Sequence, residues 1–215
     1  MIAALGFVLL GLVVSAVAYP DLPARMTTSF DDTATAQETM ATPLALVLFP
    51  AIGVVSLGAF LVLPRIDPLG ENVEAFRAQY DGFVVLFVGL LQYVHLLLVY
   101  WNLGNRFSIG AALAPAIGAI VYYAGVVFEN AEQNWFVGIR TPWTMTDERV
   151  WQRTHDRGAT LFKIAGLVAV FGFVAGEYAI WFMIGPVVLV ALYLVVYSYR
   201  EYRRLEETGT VDRTP

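Results

Sequence analysis

GFVVLFVGLLQYVHLLLVYW, residues 82–101, runs for twenty positions without an Asp, Glu, Lys or Arg. A bilayer core of about 30 Å is crossed by about 20 apolar residues in a helix, so the stretch predicts a membrane-spanning segment. Its run is continuously apolar rather than alternating, which favours a helix over a barrel strand. Five more segments qualify, at about 2–19, 43–63, 107–128, 158–176 and 178–199. The expected fold class is all-α, a polytopic membrane protein of six transmembrane helices. Pro64, Asn102–Gly104–Asn105 and Gly176 read as stop signals at the ends of spans.

Composition agrees with that reading. The 215 residues are 58% hydrophobic and 14% charged, and mean hydropathy is +0.65, too apolar for a water-soluble fold of this size. The chain has no cysteine and two histidines, so no disulfide framework, metal centre or cofactor is expected. Net charge is −5, and no basic patch suited to nucleic acid stands out.

Two features test the first span and the orientation. Ala16-Val17-Ala18 resembles a signal-peptidase site, but no basic region precedes the span and its apolar stretch is long, so a retained helix is expected. Arginine and lysine placement sets the sidedness. With six crossings, one side holds Arg65, Arg77, Arg140, Arg149, Arg153, Arg157, Lys163, Arg200, Arg203, Arg204 and Arg213, and the other only Arg25 and Arg106. Both termini are therefore expected in the cytoplasm of a cell whose plasma membrane holds the chain. The 20–42 loop would lie outside, and is acidic through Asp21, Asp31, Asp32 and Glu38.

The cytoplasmic connection, 129–157, contains NWFVGIRTPWT, Asn134 to Thr144. Pro142 pushes Thr141 toward an extended conformation. Thr144 or Thr146 could cap a short surface helix over 146–157, with Asp147 and Glu148 in its first turn. Val150, Trp151 and Thr154 would share its buried face and leave Arg149, Arg153 and Asp156 in water, before Gly158 releases the chain into the fifth span. One reading makes Trp135, Phe136, Trp143 and Trp151 interfacial anchors, with Arg140 on a lipid phosphate or a helix-end carbonyl. The other folds the loop over the bundle, with Arg140 as a clamp for an anionic group and Asn134, His155 and Asp156 as polar neighbours. Residue chemistry alone leans to anchors.

Within the spans, His95 is the one ionisable group near a midplane, with Gln92 a turn before it. It could donate to a carbonyl or meet Ser15 or Ser56 on a neighbouring helix, or carry protons. Ala111, Ala114, Gly118 and Gly125, and Ala165, Ala169, Gly172 and Gly176, form small-residue stripes that let helices approach. Tyr93, Tyr100, Trp101, Tyr193, Tyr197 and Tyr199 include interfacial anchors. Glu129 and Glu132 could pair with Arg140 or Arg157.

NWFVGIRTPWTMTDERVWQRTHDRG, from Asn134, closely resembles the signature of the SdpI family of bacterial and archaeal membrane proteins. LPRIDPLGENVEAFRAQYD, residues 63–81, and YPDLPARMTTSFDD, from Tyr19, resemble the DUF1648 region that precedes it. That divides the chain into a DUF1648-like region, 1–101, an SdpI-like region, 102–200, and a cytoplasmic tail, 201–215. Ser29 stands where the family commonly has His, and a Gly-x-x-Asp that often follows is missing, which puts in doubt any role tied to that His. The resemblance implies a non-enzymatic immunity or receptor protein that senses an extracellular peptide or toxin and relays to a cytoplasmic partner such as a transcriptional repressor. It marks Asn134, Trp135, Gly138, Arg140, Thr141, Pro142, Trp143, Trp151 and His155 as candidate partner-binding residues. The alternative is a small transporter or an ion or proton pathway along Gln92 and His95, against which stands the lack of paired intramembrane charges.

Overall fold

The structure, a computed structural model, describes residues 1–30 and 36–208. Among these, six helices are long and apolar enough to cross a membrane. They are α1 (Ile2–Ala18), α2 (Thr42–Ile66), α4 (Arg77–Asn102), α5 (Ile109–Asn130), α7 (Glu148–Val170) and α8 (Ala179–Glu207). Two short helices, α3 (Gly70–Ala75) and α6 (Pro142–Thr146), lie in the connections. The chain is a multi-pass membrane protein with exposed apolar residues along its outer faces, as a lipid-facing bundle requires. Helices α1, α2 and α4 pack on one another, α5, α7 and α8 do the same, and α4 against α5 forms the seam.

The 20–42 connection holds an antiparallel hairpin that was not foreseen, β1 (Arg25–Phe30) with β2 (Ala36–Ala41). Its register slips between Thr27 and Phe30, so the alternation that would announce two strands is broken. Asp31, Asp32 and Arg213 lie outside the described residues.

Glycines close the α5–α7 contact, through Gly118 of the expected stripe on α5 and Gly166, which lies outside the stripe expected on α7. A methyl on Gly118 would lie 2.7 Å from Gly166 O, and one on Gly166 2.6 Å from Gly118 O. Larger residues would push the helices apart and forfeit the packing that holds helices together in lipid.

The two prolines inside α2 are matched by hydroxyls. Pro64 does not stop α2, which runs on to Ile66. A proline in the last turn sacrifices only the bond to the carbonyl four residues back, and that carbonyl, Phe60 O, accepts from Tyr80 Oη at 2.6 Å. Pro50 likewise frees Leu46 O, and Ser15 Oγ lies 3.1 Å from it. Ser15 Oγ also lies 2.9 Å from Gly11 O and 2.8 Å from His95 Nε2. Ser56 takes no part in this contact. Gln92 is wedged between Gly11 and Gly53 and donates to Phe49 O at 3.2 Å. Gln92 and His95 are thus both buried where α1, α2 and α4 meet. Tyr93 donates to Ala112 O at 3.0 Å, and Trp101 is buried under Phe30 and Arg106. Those two aromatics tie elements together instead of anchoring in lipid.

The separate surface helix at 146–157 is corrected. α7 is continuous from Glu148 to Val170, and Gly158 does not interrupt it. Gly158 is small for another reason: a methyl there would collide with Ile139 of the folded-back connection. Val150, Trp151 and Thr154 are buried and Arg149, Arg153 and Asp156 exposed, as the periodicity requires. At the other end α8 extends to Glu207, about two turns beyond the expected span, because Glu201 is buried with salt bridges to Arg153 (2.8 Å) and Arg204 (3.2 Å). The start of the 201–215 tail is therefore helical.

Candidate functional site

The 130–147 connection folds back over the ends of α4, α5 and α7, and its polar residues hold it in shape. Asn134 is 0% exposed. Its Nδ2 donates to Glu132 O (2.8 Å) and Val137 O (3.0 Å), while Oδ1 accepts from the N–H groups of Phe136 (3.0 Å) and Val137 (2.6 Å). One side chain thereby replaces the secondary structure this segment lacks.

Gly138 has φ +115°, a left-handed value that disfavours side chains. A methyl there would also strike His155 Nε2. That close approach lets Ile139 N–H donate to His155 Nε2 at 2.9 Å. Nε2 is thus the acceptor, so Nδ1 carries the proton and donates to Trp151 O at 2.9 Å. Trp151 stacks on His155 with ring centroids 3.9 Å apart and donates through Nε1 to Ala131 O at 2.8 Å. His155 and Trp151 are thus buried fasteners for the loop. Asp156, next in sequence, faces outward, so the two do not form an acid–base pair.

Thr141 is the N-cap of α6, with Pro142 in the first turn. Thr141 and Thr144 form a reciprocal box: Thr141 N–H to Thr144 Oγ1 at 2.8 Å, and Thr144 N–H to Thr141 Oγ1 at 3.2 Å. Thr144 is thus an inner member of the cap, and Asp147, not Thr144 or Thr146, caps α7 by accepting from Arg149 N–H (2.8 Å) and Val150 N–H (3.4 Å). Its hydrogen bonds with the Arg149 side chain hold the Asp147 carboxyl below the usual carboxylate range. Thr141 Oγ1 also donates to Ser198 Oγ at 3.0 Å, and Trp143 packs on Tyr199 with centroids 5.0 Å apart, so the loop is docked on α8.

Two residues outside the motif clasp it to the amino-terminal helices. Asp67 is buried; its Oδ2 accepts from Trp135 N–H at 3.0 Å and its Oδ1 from Leu69 N–H at 2.8 Å. Asn72 Nδ2 donates to Gln133 O at 2.6 Å. The LPRIDP…N stretch carried both residues, yet periodicity could not show that it meets a loop sixty residues away.

Trp135 (52% exposed), Phe136 (38%) and Arg140 face the surface, beside Glu132, Pro142 and Thr146. Arg140 Nη1 donates to Trp135 O, holding the guanidinium over the outer face of the loop. The expected pairing of Glu129 or Glu132 with Arg140 or Arg157 is not formed. Lys163 reaches Glu129 at 2.5 Å because it lies on the facing turn of α7, and Arg157 turns to Tyr193 Oη at 3.3 Å. An apolar cavity of about 250 Å³ lies beneath the loop, between Phe60, Tyr80, Phe83, Phe128 and Val137. Of the sequence-designated residues, Asn134, Gly138, Thr141, Pro142, Trp143, Trp151 and His155 build the cap, Trp135 and Arg140 face outward, and Gln92 and His95 lie in a separate contact within the amino-terminal helices.

Residues 130–198, which contain the cap and most of the two helices beneath it, match the SdpI/YfhL protein family. Over 164 residues, 76% of this chain and 77% of the relative, the sequence is 29% identical to the immunity protein SdpI of Bacillus subtilis (strain 168). No solved structure is matched.

Proposed function

We propose, from the match of residues 130–198 to the SdpI/YfhL protein family, that this chain is a membrane immunity protein that also transduces a signal. An extracellular peptide or toxin is sensed at the hairpin end, and the message passes to a cytoplasmic partner, such as a transcriptional repressor, at the motif end. The likeness to an immunity protein over three quarters of both chains supports the first half of that reading. The clasp between Asp67 and Trp135 supports the second, because it ties the motif to helices that connect directly to the hairpin. In this account the ligand favours one of two arrangements of the helices, and the partner reads the change at Trp135, Phe136 and Arg140. His155, with both ring nitrogens bonded to backbone, supports a non-enzymatic role.

Photo-crosslinking from position 136, followed by identification of the captured partners, tests the motif end. Arg140→Ala is expected to deplete the cytoplasmic partner set and any protective phenotype while the protein remains folded in the membrane. An unchanged partner set and phenotype would mean that the loop relays nothing. Sidedness is tested separately, since the chain has no cysteine and single cysteines can be placed cleanly. An impermeant reagent added to intact cells should label position 38 and spare position 140.

A further inference from the structure

At the end of the molecule opposite the motif, a cleft of about 280 Å³ opens between the tip of β1 and the helices α5 and α8. Phe30 at the tip of β1 forms one wall. Trp101 holds it there, edge to face at 4.8 Å, and Arg106 covers the far side of the Trp101 ring at 3.5 Å. The other wall is Ile109 and Leu113 of α5 with Ile180 and Met183 of α8. Between the helices Gly176, at φ +58°, makes the turn that brings Glu177 to the rim. Glu177 is exposed and has no ion pair among the described residues. The two arginines at this end are already engaged, Arg106 on Trp101 and Arg25 on Thr39 at 2.7 Å. An apolar cleft with an unpaired carboxylate at its mouth is complementary to a bulky apolar group carried beside a cation.

We propose that this cleft is the seat of the external ligand, and that it receives a peptide segment presenting an aromatic or large aliphatic side chain next to a basic residue. The assignment deepens the sensing role proposed above and rests on it. The volume accommodates one anchoring side chain, with Glu177 meeting the neighbouring cation in water at the rim. Because one wall of the cleft, Phe30, rests on Trp101 of α4 and the other belongs to α5 and α8, while the Asp67–Trp135 clasp joins the same two helix groups at the other end, filling the cleft bears on the clasp through rigid helices.

The test uses the full chain in nanodiscs of zwitterionic lipid, with 13C-methyl methionine. Met183 lines the cleft and Met145 packs beneath the motif, so one spectrum reports both ends. The probes are the capped dipeptides Ac-Phe-Arg-NH2, Ac-Phe-Gln-NH2 and Ac-Gly-Arg-NH2. Ac-Phe-Arg-NH2 is expected to shift Met183 saturably and to bind up to about fivefold tighter than Ac-Phe-Gln-NH2, the gain of one exposed ion pair. Ac-Gly-Arg-NH2 should leave Met183 in place. Glu177→Gln, a surface change that preserves the fold, should abolish the preference for arginine, and Leu113→Trp should abolish binding by filling the cleft. Equal responses to all three dipeptides, or none, overturn the assignment. A Met183 signal that follows the acyl-chain length of the nanodisc lipid and ignores the dipeptides gives the cleft to lipid, and overturns it too. A saturable shift at Met183 with Met145 unmoved upholds the cleft and sinks the inward relay.

Discussion

Two asparagines, Asn134 and Asn102, hold the two ends of this protein, and they do so to different degrees. Asn134 is completely buried and spends all four of its hydrogen-bonding positions on the loop around it. Asn102, at the end of α4, exchanges two bonds with the backbone of Thr27, at 2.8 and 3.0 Å, as a further strand would, and adds one to Leu98 O. The motif end is wired by side chains from four directions. Around it stand the Thr141–Thr144 box, the His155–Ile139 bond and the Asp67 clasp. The hairpin end is a bulged two-stranded ribbon, marginal by itself and fixed by Asn102, by the Phe30–Trp101 contact and by Met26, buried against Ala18, Ala45, Leu46 and Val99. One end is built to keep its shape and present a surface. The other relies on fewer buried side-chain hydrogen bonds.

The contrast breaks most visibly at Asn134. Asn134→Ala would strand the buried N–H groups of Phe136 and Val137, at about 1–3 kcal/mol each. Hydrogen exchange over 134–141 is expected to rise by the equivalent of about 3 kcal/mol while exchange in the hairpin stays as it was. A loop that remains protected without this side chain would show that the cap is held by packing alone. The corresponding change at the other end, Asn102→Ala, removes three bonds, all of them part-buried, and should cost about 1 kcal/mol. Its effect should be confined to β1 and β2, with the motif undisturbed. Exchange that rises equally at both ends would mean that the ends differ less than their wiring suggests.

How much of this was legible beforehand follows the physics of each signal. The spans were readable because a bilayer demands long apolar helices, and every one of the six stands near its expected place. Gly118 was readable as part of a packing stripe because close approach is one of the forces that join helices in lipid, but its partner Gly166 stood outside the stripe expected on α7. Pro64 misled, since its effect depends on whether a donor reaches Phe60 O, and Tyr80 is sixteen residues further along the chain. Gly158 misled in the same way, being small to admit Ile139 and not to bend α7. The motif could be recognised by its residues, but its inner wiring could not be read. Asn134, Thr141 and His155 appear as candidate contacts for a partner when read along the chain, and only their neighbours in space reveal that each is already satisfied. Asp67 and Asn72 illustrate the converse, for their role exists only where two distant connections meet.

The smallest expected effect concerns the junction between the rigid cap and the helix that carries it. Asp147 accepts the first free N–H groups of α7, and the Arg149 side chain keeps its carboxyl ionised to lower pH than an unfolded aspartate. A carboxyl with a depressed folded-state pKa stabilises fully above its unfolded value, near pH 4, and loses that contribution as pH falls through the lower folded value. Asp147→Ala is therefore expected to cost about 1 kcal/mol at neutral pH, the usual worth of a helix cap. The difference from wild type should shrink as pH drops below about 4. Asp147→Asn keeps a capping oxygen without the charge and should recover much of the loss. If instead Asp147→Asn is as damaging as alanine, the ion pair with Arg149 outweighs the cap. The start of α7 would then be held by charge, unlike the Asn134 and Thr141–Thr144 hydrogen bonds, which join neutral groups.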